Sequence, residues 1–337
     1  MATYKEIHGT DIEVVASDPS NPVVGEVWYN TTTQQLKGYR QAIGNAWSTG
    51  GNLNTARIFL AGAGTQTSTI AFGGQNPTLT NVTEQYNGTS WTEVNDLNTA
   101  RSNLAAAGTQ TAALAIGGGI TPAVANTESW NGTSWTETTD MNTAKKQLGG
   151  FGTQTAALAF GGENPGAAVL AITESWNGSA WTEVNDLNTA NFQMGSVGTL
   201  TSGLSFGGFA PPYTALTESW NGTSWFTVNN LNTARRGLGG AGTQTSALAF
   251  GGENDSYLAL TEKWDGSTWT ETNDLNTART LAGDGTQTSA IAFGGQTFPA
   301  PSTGTAATEE WNAGISVGAW VTEATLNTAR KQINAAG

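Results

Sequence analysis

A chain of 337 residues with a net charge of −13 and a pI near 4.4 has an acidic surface, which repels the phosphate groups of nucleic acids and of anionic lipids. It contains no cysteine, so disulfides, thiolate metal sites and a cysteine nucleophile are excluded. The composition therefore favours a protein that needs no cofactor or metal ion, binds no nucleic acid and does not enter a membrane.

The N-terminal segment, residues 1–22, is predicted to be an extension in front of the folded domain. It has no apolar core of the kind found in signal peptides. No run in the chain approaches the roughly 18 apolar residues of a membrane helix. We therefore expect a soluble product that is made in the cytoplasm. The single histidine of the chain is His8, so no Ser–His pair for nucleophilic catalysis is expected either.

From Leu53 onwards, a unit of about 44 residues recurs along the chain, and a repeat of this length is typical of solenoids and propellers. Each copy begins with Leu-Asn-Thr-Ala-Arg or a close variant. A small apolar stretch, a Gly-Gly pair, a Glu-x-aromatic step, an Asn-Gly type turn and a Trp follow. The six predicted repeats are residues 53–96, 97–140, 141–186, 187–230, 231–274 and 275–325.

Each copy predicts four short strands, as the repeat 231–274 illustrates. Its first apolar stretch has almost no side-chain volume, which suits the crowded axis of a propeller. Its second is a short apolar run of the kind found in buried strands. Asp265-Gly266 then predicts a hairpin turn between the last two strands. The predicted strands are 237–241, 246–250, 261–264 and one that begins at Trp269. The fold class is therefore all-β.

Four strands, a double glycine after the second, an aromatic residue on the third and a Trp on the fourth resemble the kelch repeat. The glycine pairs begin at Gly73, Gly117, Gly161, Gly207, Gly251 and Gly294. The aromatic pairs are Tyr86 and Trp91, Trp130 and Trp135, Trp176 and Trp181, Trp220 and Trp225, Trp264 and Trp269, and Trp311 and Trp320. The resemblance implies a β-propeller with four-stranded blades around a channel.

The two ends of the repeat array predict how the ring closes. Residues 326–337 repeat the opening of a further unit, and residues 23–52 contain three strand-like segments with a possible aromatic pair, Tyr39 and Trp47. Together they predict a composite blade, which would satisfy two open sheet edges. We therefore expect a seven-bladed propeller over residues 23–337. Six blades with an N-terminal appendage are the alternative.

Buried ion pairs are a second expectation from the repeats. A glutamate lies two residues before each third-strand aromatic and so shares its face of the strand. A buried carboxylate needs a partner, for which we expect the arginine of the opening motif of a neighbouring blade. The predicted glutamates are Glu84, Glu128, Glu174, Glu218, Glu262 and Glu309, and the predicted arginines are Arg57, Arg101, Arg235, Arg279 and Arg330.

The loop after Gly-Gly differs in all six copies, whereas the turns of the opposite face are nearly the same. Divergence at one loop favours a partner-binding surface; a lack of constraint is the alternative. Rigid aromatic and proline residues offer contact area there. The predicted binding residues are Phe209, Pro211, Pro212, Tyr213, Asp255, Tyr257, Phe298 and Pro299. We place the main contact in the repeat 187–230. A glycosidase-type carboxylate pair from Glu163, Glu253 and Asp255 is a weaker hypothesis.

Residues 22–39 resemble hairpin segments in structural and tail-fibre proteins of tailed bacteriophages, including marine and cyanobacterial phages whose repeat arrays also carry Asn-Thr-Ala-Arg. The resemblance implies a virion protein with other virion proteins as partners, a host-surface glycan or protein as ligand, and a homo-oligomeric form within the particle. Our first hypothesis is a non-enzymatic binding propeller. A purely structural protein of virion assembly and a glycan-active enzyme are the alternatives.

Overall fold

The computed structural model of the chain describes residues 2–4, 10–17, 19, 27–119, 122–297 and 304–322. Contacts divide the chain into a small unit, Met1–Gly44 with Gly314–Gly337, and a propeller unit, Asn45–Ala313. Among the described residues, no helix is long and apolar enough to cross a membrane.

The small unit is built from short strands. Its strands are β1 (Ala2–Tyr4), β2 (Thr10–Val15), β3 (Val27–Asn30) and the first part of β4 (Gln35–Thr49). β1 and β2 are antiparallel, β2 and β3 are parallel, and β3 and β4 form an antiparallel hairpin. The Asn30 Oδ1 accepts the N–H groups of Thr32 and Thr33, both at 3.0 Å, which closes the turn of this hairpin. Trp28 is fully buried.

The propeller unit contains five consecutive blades, each a four-stranded antiparallel sheet. Their strands are β5 (Ala61–Thr65), β6 (Ser68–Phe72), β7 (Thr83–Tyr86), β8 (Trp91–Val94), β9 (Ala105–Thr109), β10 (Ala112–Ile116), β11 (Thr127–Trp130), β12 (Trp135–Glu137), β13 (Gly149–Thr153), β14 (Ala156–Phe160), β15 (Thr173–Trp176), β16 (Trp181–Val184), β17 (Gly195–Thr199), β18 (Ser202–Phe206), β19 (Thr217–Trp220), β20 (Trp225–Val228), β21 (Gly239–Thr243), β22 (Ser246–Phe250), β23 (Thr261–Trp264) and β24 (Trp269–Glu271).

The sixth blade is composite. It consists of β25 (Thr280–Thr286), β26 (Ser289–Gln296), the start of β27 (Thr308–Thr322) and, as its outermost strand, the end of β4. The innermost strands contact one another in the closed cycle β5, β9, β13, β17, β21, β25 and back to β5. The propeller therefore has six blades, and the prediction of seven is wrong. Residues 326–337, which a seventh blade required, lie outside the described residues.

Trp47 explains why six repeats are enough to close the ring. It is the fourth-strand Trp of the sixth blade: its Nε1 donates to the Thr261 Oγ1 of the fifth blade at 3.1 Å, and its ring lies 4.8 Å from Phe250. Trp135 makes the same two contacts with Thr83 and Phe72 of the first blade. The ring of Trp47 lies 5.5 Å from that of Trp311. The predicted pairing of Trp311 with Trp320 falls on a side chain outside the described part of the structure.

The opening motif of the repeat is a cradle for the third-strand glutamate. The Glu84 Oε2 accepts the backbone N–H and the side-chain amide of Asn54 at 2.7 and 2.9 Å, and its Oε1 accepts the Thr55 N–H at 3.3 Å and the Arg57 Nη2 at 2.8 Å. Arg57 also donates to the carbonyls of Gly73 and Val82. Arginine and glutamate belong to the same repeat, so the expected pairing between neighbouring blades is wrong.

Five repeats hold a buried ion pair in this cradle. The pairs are Arg57–Glu84 at 2.8 Å, Arg101–Glu128 at 2.9 Å, Lys145–Glu174 at 3.1 Å, Arg235–Glu262 and Arg279–Glu309. Burial lowers the pKa of the basic groups of Arg57, Arg101, Lys145 and Arg279, while the facing carboxylate opposes that shift. The remaining predicted glutamate, Glu218 of the fourth repeat, has no basic partner among the described residues. Arg330 lies outside the described residues.

The near-identical turns of the opposite face have a structural reason. The Gln110 Nε2, in the turn after β9, donates to the carbonyls of Thr69 and Tyr86 in the preceding blade, at 3.1 and 2.5 Å. Gln66 makes the corresponding bond to the Trp311 carbonyl at 2.6 Å and so joins the first blade to the sixth. These glutamines fasten each blade to its neighbour, which accounts for the repeated Gly-Thr-Gln-Thr. In the fourth repeat, Leu200 takes the place of the glutamine.

A carboxyl group also lies at the interface where the sixth blade meets the first. The Asp284 Oδ2 accepts the Thr69 hydroxyl at 2.9 Å, at a position that is apolar in the other inner strands, such as Ala63 and Ala241. Burial raises the pKa of Asp284 to about 7, although hydrogen bonds from Thr69 and from the Gly64 N–H act in the opposite direction. The folded protein therefore holds this proton up to a pH at which the unfolded chain has released it.

This raised pKa predicts a pH-dependent stability. The stabilising contribution of protonated Asp284 is complete below about pH 4 and is lost as the pH rises to about 7. Asp284→Asn should therefore melt like the wild type near pH 4. At pH 8 it should be more stable than the wild type by about 1–2 kcal/mol, which is less than the full pKa shift corresponds to, because the carboxyl group borders the open channel. Thermal melts from pH 4 to 8 measure it, with the exposed Asp255→Asn as control. A constant difference at all pH values would contradict this assignment.

Candidate functional site

The central channel opens on the face of the Gly-Gly loops into a cavity of about 550 Å³, which we call the mouth cavity. Each blade contributes one apolar side chain to its base. These residues are Leu60, Leu104, Leu148, Met194, Leu238 and Leu281. Deeper in the channel, the inner strands present mainly glycine and alanine, because adjacent blades approach closely there: a Cβ on Gly283 would lie 2.4 Å from the Phe250 ring.

The rim of the mouth cavity is a ring of residues in the left-handed backbone conformation. They lie two residues after the basic position of the repeat, which Asn191 occupies in the fourth repeat. Their φ angles lie between 55° and 64°. These residues are Phe59, Asn103, Gln147, Gln193 and Gly237. Each rim residue from Asn103 onwards donates its N–H to the carbonyl of the rim residue before it, at 2.7 to 2.9 Å. This belt fixes where the rim side chains lie. The sixth repeat is one residue shorter, and there Leu281 donates to the Gly237 carbonyl at 3.3 Å.

Amide side chains give the mouth cavity its polar groups. Asn103, Gln147, Gln193 and Gln296 all line it. The Oε1 atoms of Gln147 and Gln193 are buried and have no hydrogen-bond partner among the described residues. An unpaired buried acceptor is costly, and in native proteins it points to an ordered water, an ion or a ligand. The amide side chains that line the mouth cavity can both donate and accept hydrogen bonds.

The divergent loops lie directly beside this cavity. In the first five repeats, the residue after the basic position forms an isolated β-bridge with the residue after Gly-Gly, as Lys146 does with Glu163 and Arg236 with Glu253. The backbone bonds of these two bridges measure 2.9 to 3.0 Å. Each loop is thereby attached to the rim of the mouth cavity, so differences in loop sequence change what surrounds the cavity.

An aromatic and cationic cluster extends the site over the fourth and fifth blades. The Phe209 ring lies 5.4 Å from Phe192 and 5.1 Å from Tyr213. The Arg236 guanidinium lies over both Phe209 and Tyr213, at 5.0 and 5.3 Å from their ring centroids, and its Nε donates to the Glu253 Oε1 at 2.8 Å. Stacked between rings and a carboxylate, Arg236 is held in one orientation at the edge of the cavity.

The predicted binding residues fall at different places around this cluster. Phe209 and Tyr213 are half-buried within it, whereas Pro211 and Pro212 are exposed at the loop tip. Asp255 is exposed with a φ of 77°, and Tyr257 is half-buried. Burial, with Glu253 nearby, raises the pKa of Tyr257. Phe298 and Pro299 lie outside the described residues, so their part of the prediction stays untested.

Several residues of the site were missed by sequence reasoning. They are Phe192 and Arg236, which follow the repeat's basic position, and the rim amides Asn103, Gln147 and Gln193. These positions vary between repeats just as the loops do, and that variation was the available signal. It could not be interpreted because the sequence does not show that the residue two positions before each of the first five inner strands lies at the channel mouth.

Two of the three loop carboxylates of the predicted catalytic pair lie at the mouth cavity. Glu163 and Glu253 both line the mouth cavity, but each is engaged by a basic residue of its own repeat: Lys146 at 3.8 Å and Arg236 at 2.8 Å. Asp255 is not among the lining residues. Within the described part of the chain, no group of three or more His, Cys, Asp or Glu side chains is placed to hold a metal ion. His8 lies outside that part.

Comparison with known proteins adds a fold relationship. No protein-family model and no curated protein matches the chain. The solved structure of YjhT is similar to it, with a TM-score of 0.65 over 77% of this chain and 96% of that chain, at 13% sequence identity. At this identity the likeness concerns the fold alone: the chain is an all-β propeller of six four-stranded blades.

Proposed function

We propose that this protein is a non-enzymatic binding module that holds a glycan in the mouth cavity. The observation that carries the proposal is the set of four amide side chains that line the cavity: Asn103, Gln147, Gln193 and Gln296. Amide side chains donate and accept hydrogen bonds at once, and they match the neighbouring hydroxyl groups of a sugar. The cavity volume of about 550 Å³ lies in the range of small-ligand sites.

The aromatic cluster supports the same ligand class. Phe209 and Tyr213 are half-buried, and they contact Phe192 and Arg236, which line the cavity. A rigid ring gives a sugar an apolar face to stack on at a low entropy cost. The net charge of −13 disfavours phosphorylated ligands, whereas neutral sugars are unaffected by it.

We further propose that the propeller, with kelch-type blades, is displayed on the particle of a tailed bacteriophage, where the glycan belongs to the host surface. The support is the resemblance of residues 22–39 and of the Asn-Thr-Ala-Arg repeats to phage structural and tail-fibre proteins. Other virion proteins would then be its assembly partners, in a homo-oligomeric arrangement. Mass spectrometry of purified particles tests this part separately from glycan binding.

The glycan site is tested by two double variants. Gln147→Ala with Gln193→Ala removes the rim acceptors, and Phe209→Ala with Tyr213→Ala removes the stacking surface. Each should weaken binding to the glycans that the wild type selects on an array by at least about tenfold, because truncation of central contact residues has effects of this size. Phe226→Ala, which removes a half-exposed ring on β20, is the matched control.

The possible outcomes separate the hypotheses. Unchanged glycan binding in both double variants, with unchanged melting temperatures, would place the site elsewhere. A wild type that binds no glycan but co-purifies with other virion proteins would favour the purely structural role. Hydrolysis of a bound glycan would favour an enzyme and contradict the proposal.

A further inference from the structure

The fourth repeat lacks the positive charge that the other five repeats bury against their third-strand glutamate. In those repeats, an Arg or Lys side chain that is fully buried contacts the carboxylate. In the fourth, Asn191 takes the position of the basic residue. Glu218 nevertheless remains buried, with an exposed fraction of 2%. The six repeats thus provide five examples of a filled cradle and one without its cation. The fourth repeat also has Thr227 and Asn230 where the first has Glu93 and Asp96.

The hydrogen bonds of Glu218 show what is missing. Its Oε2 accepts the N–H and the side-chain amide of Asn188 at 2.8 and 2.6 Å, and its Oε1 accepts the Thr189 N–H at 3.2 Å. The other five glutamates also accept both hydrogen bonds from the asparagine, and Glu174 accepts all three, from Asn142 and Thr143. No basic side chain in the described residues contacts Glu218, so a buried carboxylate is left with its charge uncompensated.

Asn191 provides a second, independent indication. Its exposed fraction is 4%, and its Nδ2 donates to the Gly207 carbonyl at 2.8 Å, as the Arg57 Nη1 does to Gly73 at 3.0 Å. Its Oδ1 is buried and has no hydrogen-bond partner among the described residues. Asn191 therefore reproduces one bond of the arginine but adds an acceptor where the arginine had donors.

We propose that the fourth blade binds a monovalent cation, such as K⁺ or NH₄⁺, between Glu218 and Asn191, in the place of the missing basic side chain. The third repeat shows the arrangement with a compact ammonium: the Lys145 Nζ lies 3.1 Å from the Glu174 Oε1 and 3.3 Å from the Ile172 carbonyl. The Leu216 carbonyl of the fourth repeat corresponds to that of Ile172, since each accepts the N–H of the first glycine of the Gly-Gly pair.

The ligands available at this site favour a singly charged ion. It comprises one carboxylate, one amide oxygen and backbone carbonyls, which are hard oxygen ligands with a single negative charge. Ca²⁺ sites in proteins use six to eight oxygen ligands and usually several carboxylates, and Mg²⁺ requires near-ideal octahedral geometry. A singly charged cation neutralises Glu218 without leaving an excess charge in the interior. This site is separate from the mouth cavity and independent of the proposed glycan binding.

The test compares cations at equal ionic strength. The melting temperature of the wild type in KCl or NH₄Cl should exceed that in tetramethylammonium chloride by about 2–5 °C at saturation, because the ion binds only the folded state. Asn191→Lys supplies the charge from the chain itself. It should abolish the difference between the salts and melt higher than the wild type in tetramethylammonium. Glu218→Gln removes the carboxylate and should also abolish the difference.

Two results would overturn the proposal. One is a wild type whose melting temperature is the same in all three salts, which would mean that no cation occupies the cradle of the fourth blade. The other is a cation effect that persists unchanged in Asn191→Lys or, if that variant does not fold, in Glu218→Gln. A crystal soaked in RbCl adds a direct readout, since an anomalous peak at Glu218 is expected in the wild type and not in Asn191→Lys.

Discussion

Trp47→Ala is expected to lower the free energy of unfolding by about 3–5 kcal/mol, the range for truncating a large buried aromatic residue. Trp47 is 6% exposed, and its ring packs against Phe250 of the fifth blade and Trp311 of the sixth. It also donates a buried hydrogen bond to Thr261. Because these contacts join a strand from the start of the chain to blades formed more than 200 residues later, their loss opens the ring. Urea unfolding measures the effect.

Two further variants serve as comparisons for Trp47→Ala. Phe226→Ala removes a ring of which 52% is exposed on the outermost strand of the fourth blade, and it should change stability by about 0.5 kcal/mol or less. Trp225→Ala removes the equivalent of Trp47 from a blade whose four strands are contiguous in the chain. If Trp47→Ala unfolds like Phe226→Ala, the end of β4 does not hold the ring closed.

The blade could be predicted from sequence because each repeat carries all of its cues within about 44 residues. The Gly-Gly pair ends the second strand, Asn-Gly turns the hairpin, and two aromatics mark the outer strands. The number of blades could not be predicted in the same way. It depends on whether Trp47 or Trp320 completes the last blade, and both choices satisfy the same local pattern.

The same limit applies to contacts within the repeat and to the candidate site. Spacing showed that Glu84 shares a strand face with Tyr86, but not that Asn54, Thr55 and Arg57 of its own repeat surround the carboxylate. That requires the motif to fold back across the blade. The mouth cavity depends on a left-handed backbone at residues such as Gln147 and Gln193, a conformation for which glutamine has no preference, so its rim was not visible in the sequence.

Arg101→Ala should destabilise the protein by about 3–5 kcal/mol, because it leaves a buried carboxylate without its counter-charge. The Arg101 Nη2 lies 2.9 Å from the Glu128 Oε1, and the side chains are 0% and 1% exposed. Its Nη1 donates to the carbonyls of Gly117 and Asn126 at 2.7 and 2.8 Å, and these also lose a donor. The measurement is urea unfolding at neutral pH.

A double-mutant cycle separates charge from packing. Arg101→Met with Glu128→Gln keeps most of the volume, removes both charges and leaves the Asn98 donors a side-chain oxygen to bind. Replacing both members of a buried pair is often nearly neutral, so the double variant should be more stable than Arg101→Ala by about 2 kcal/mol or more. A double variant as unstable as Arg101→Ala would mean that the arginine acts mainly through its hydrogen bonds to the Gly117 and Asn126 carbonyls, which Met cannot replace.

The fourth blade supplies the matched control for this cycle. Asn191→Ala changes the equivalent position, where no basic side chain is present, and removes one hydrogen bond, to the Gly207 carbonyl. In tetramethylammonium chloride, where the proposed cation is absent, its expected effect is about 1 kcal/mol, the typical value of such a bond. A cost for Arg101→Ala no larger than that for Asn191→Ala would contradict the ion-pair argument, since the second blade would then tolerate an uncompensated Glu128 with no cation from the chain. If Arg101→Ala costs clearly more than Asn191→Ala, a buried carboxylate in this cradle needs a counter-charge, and the fourth repeat provides none for Glu218.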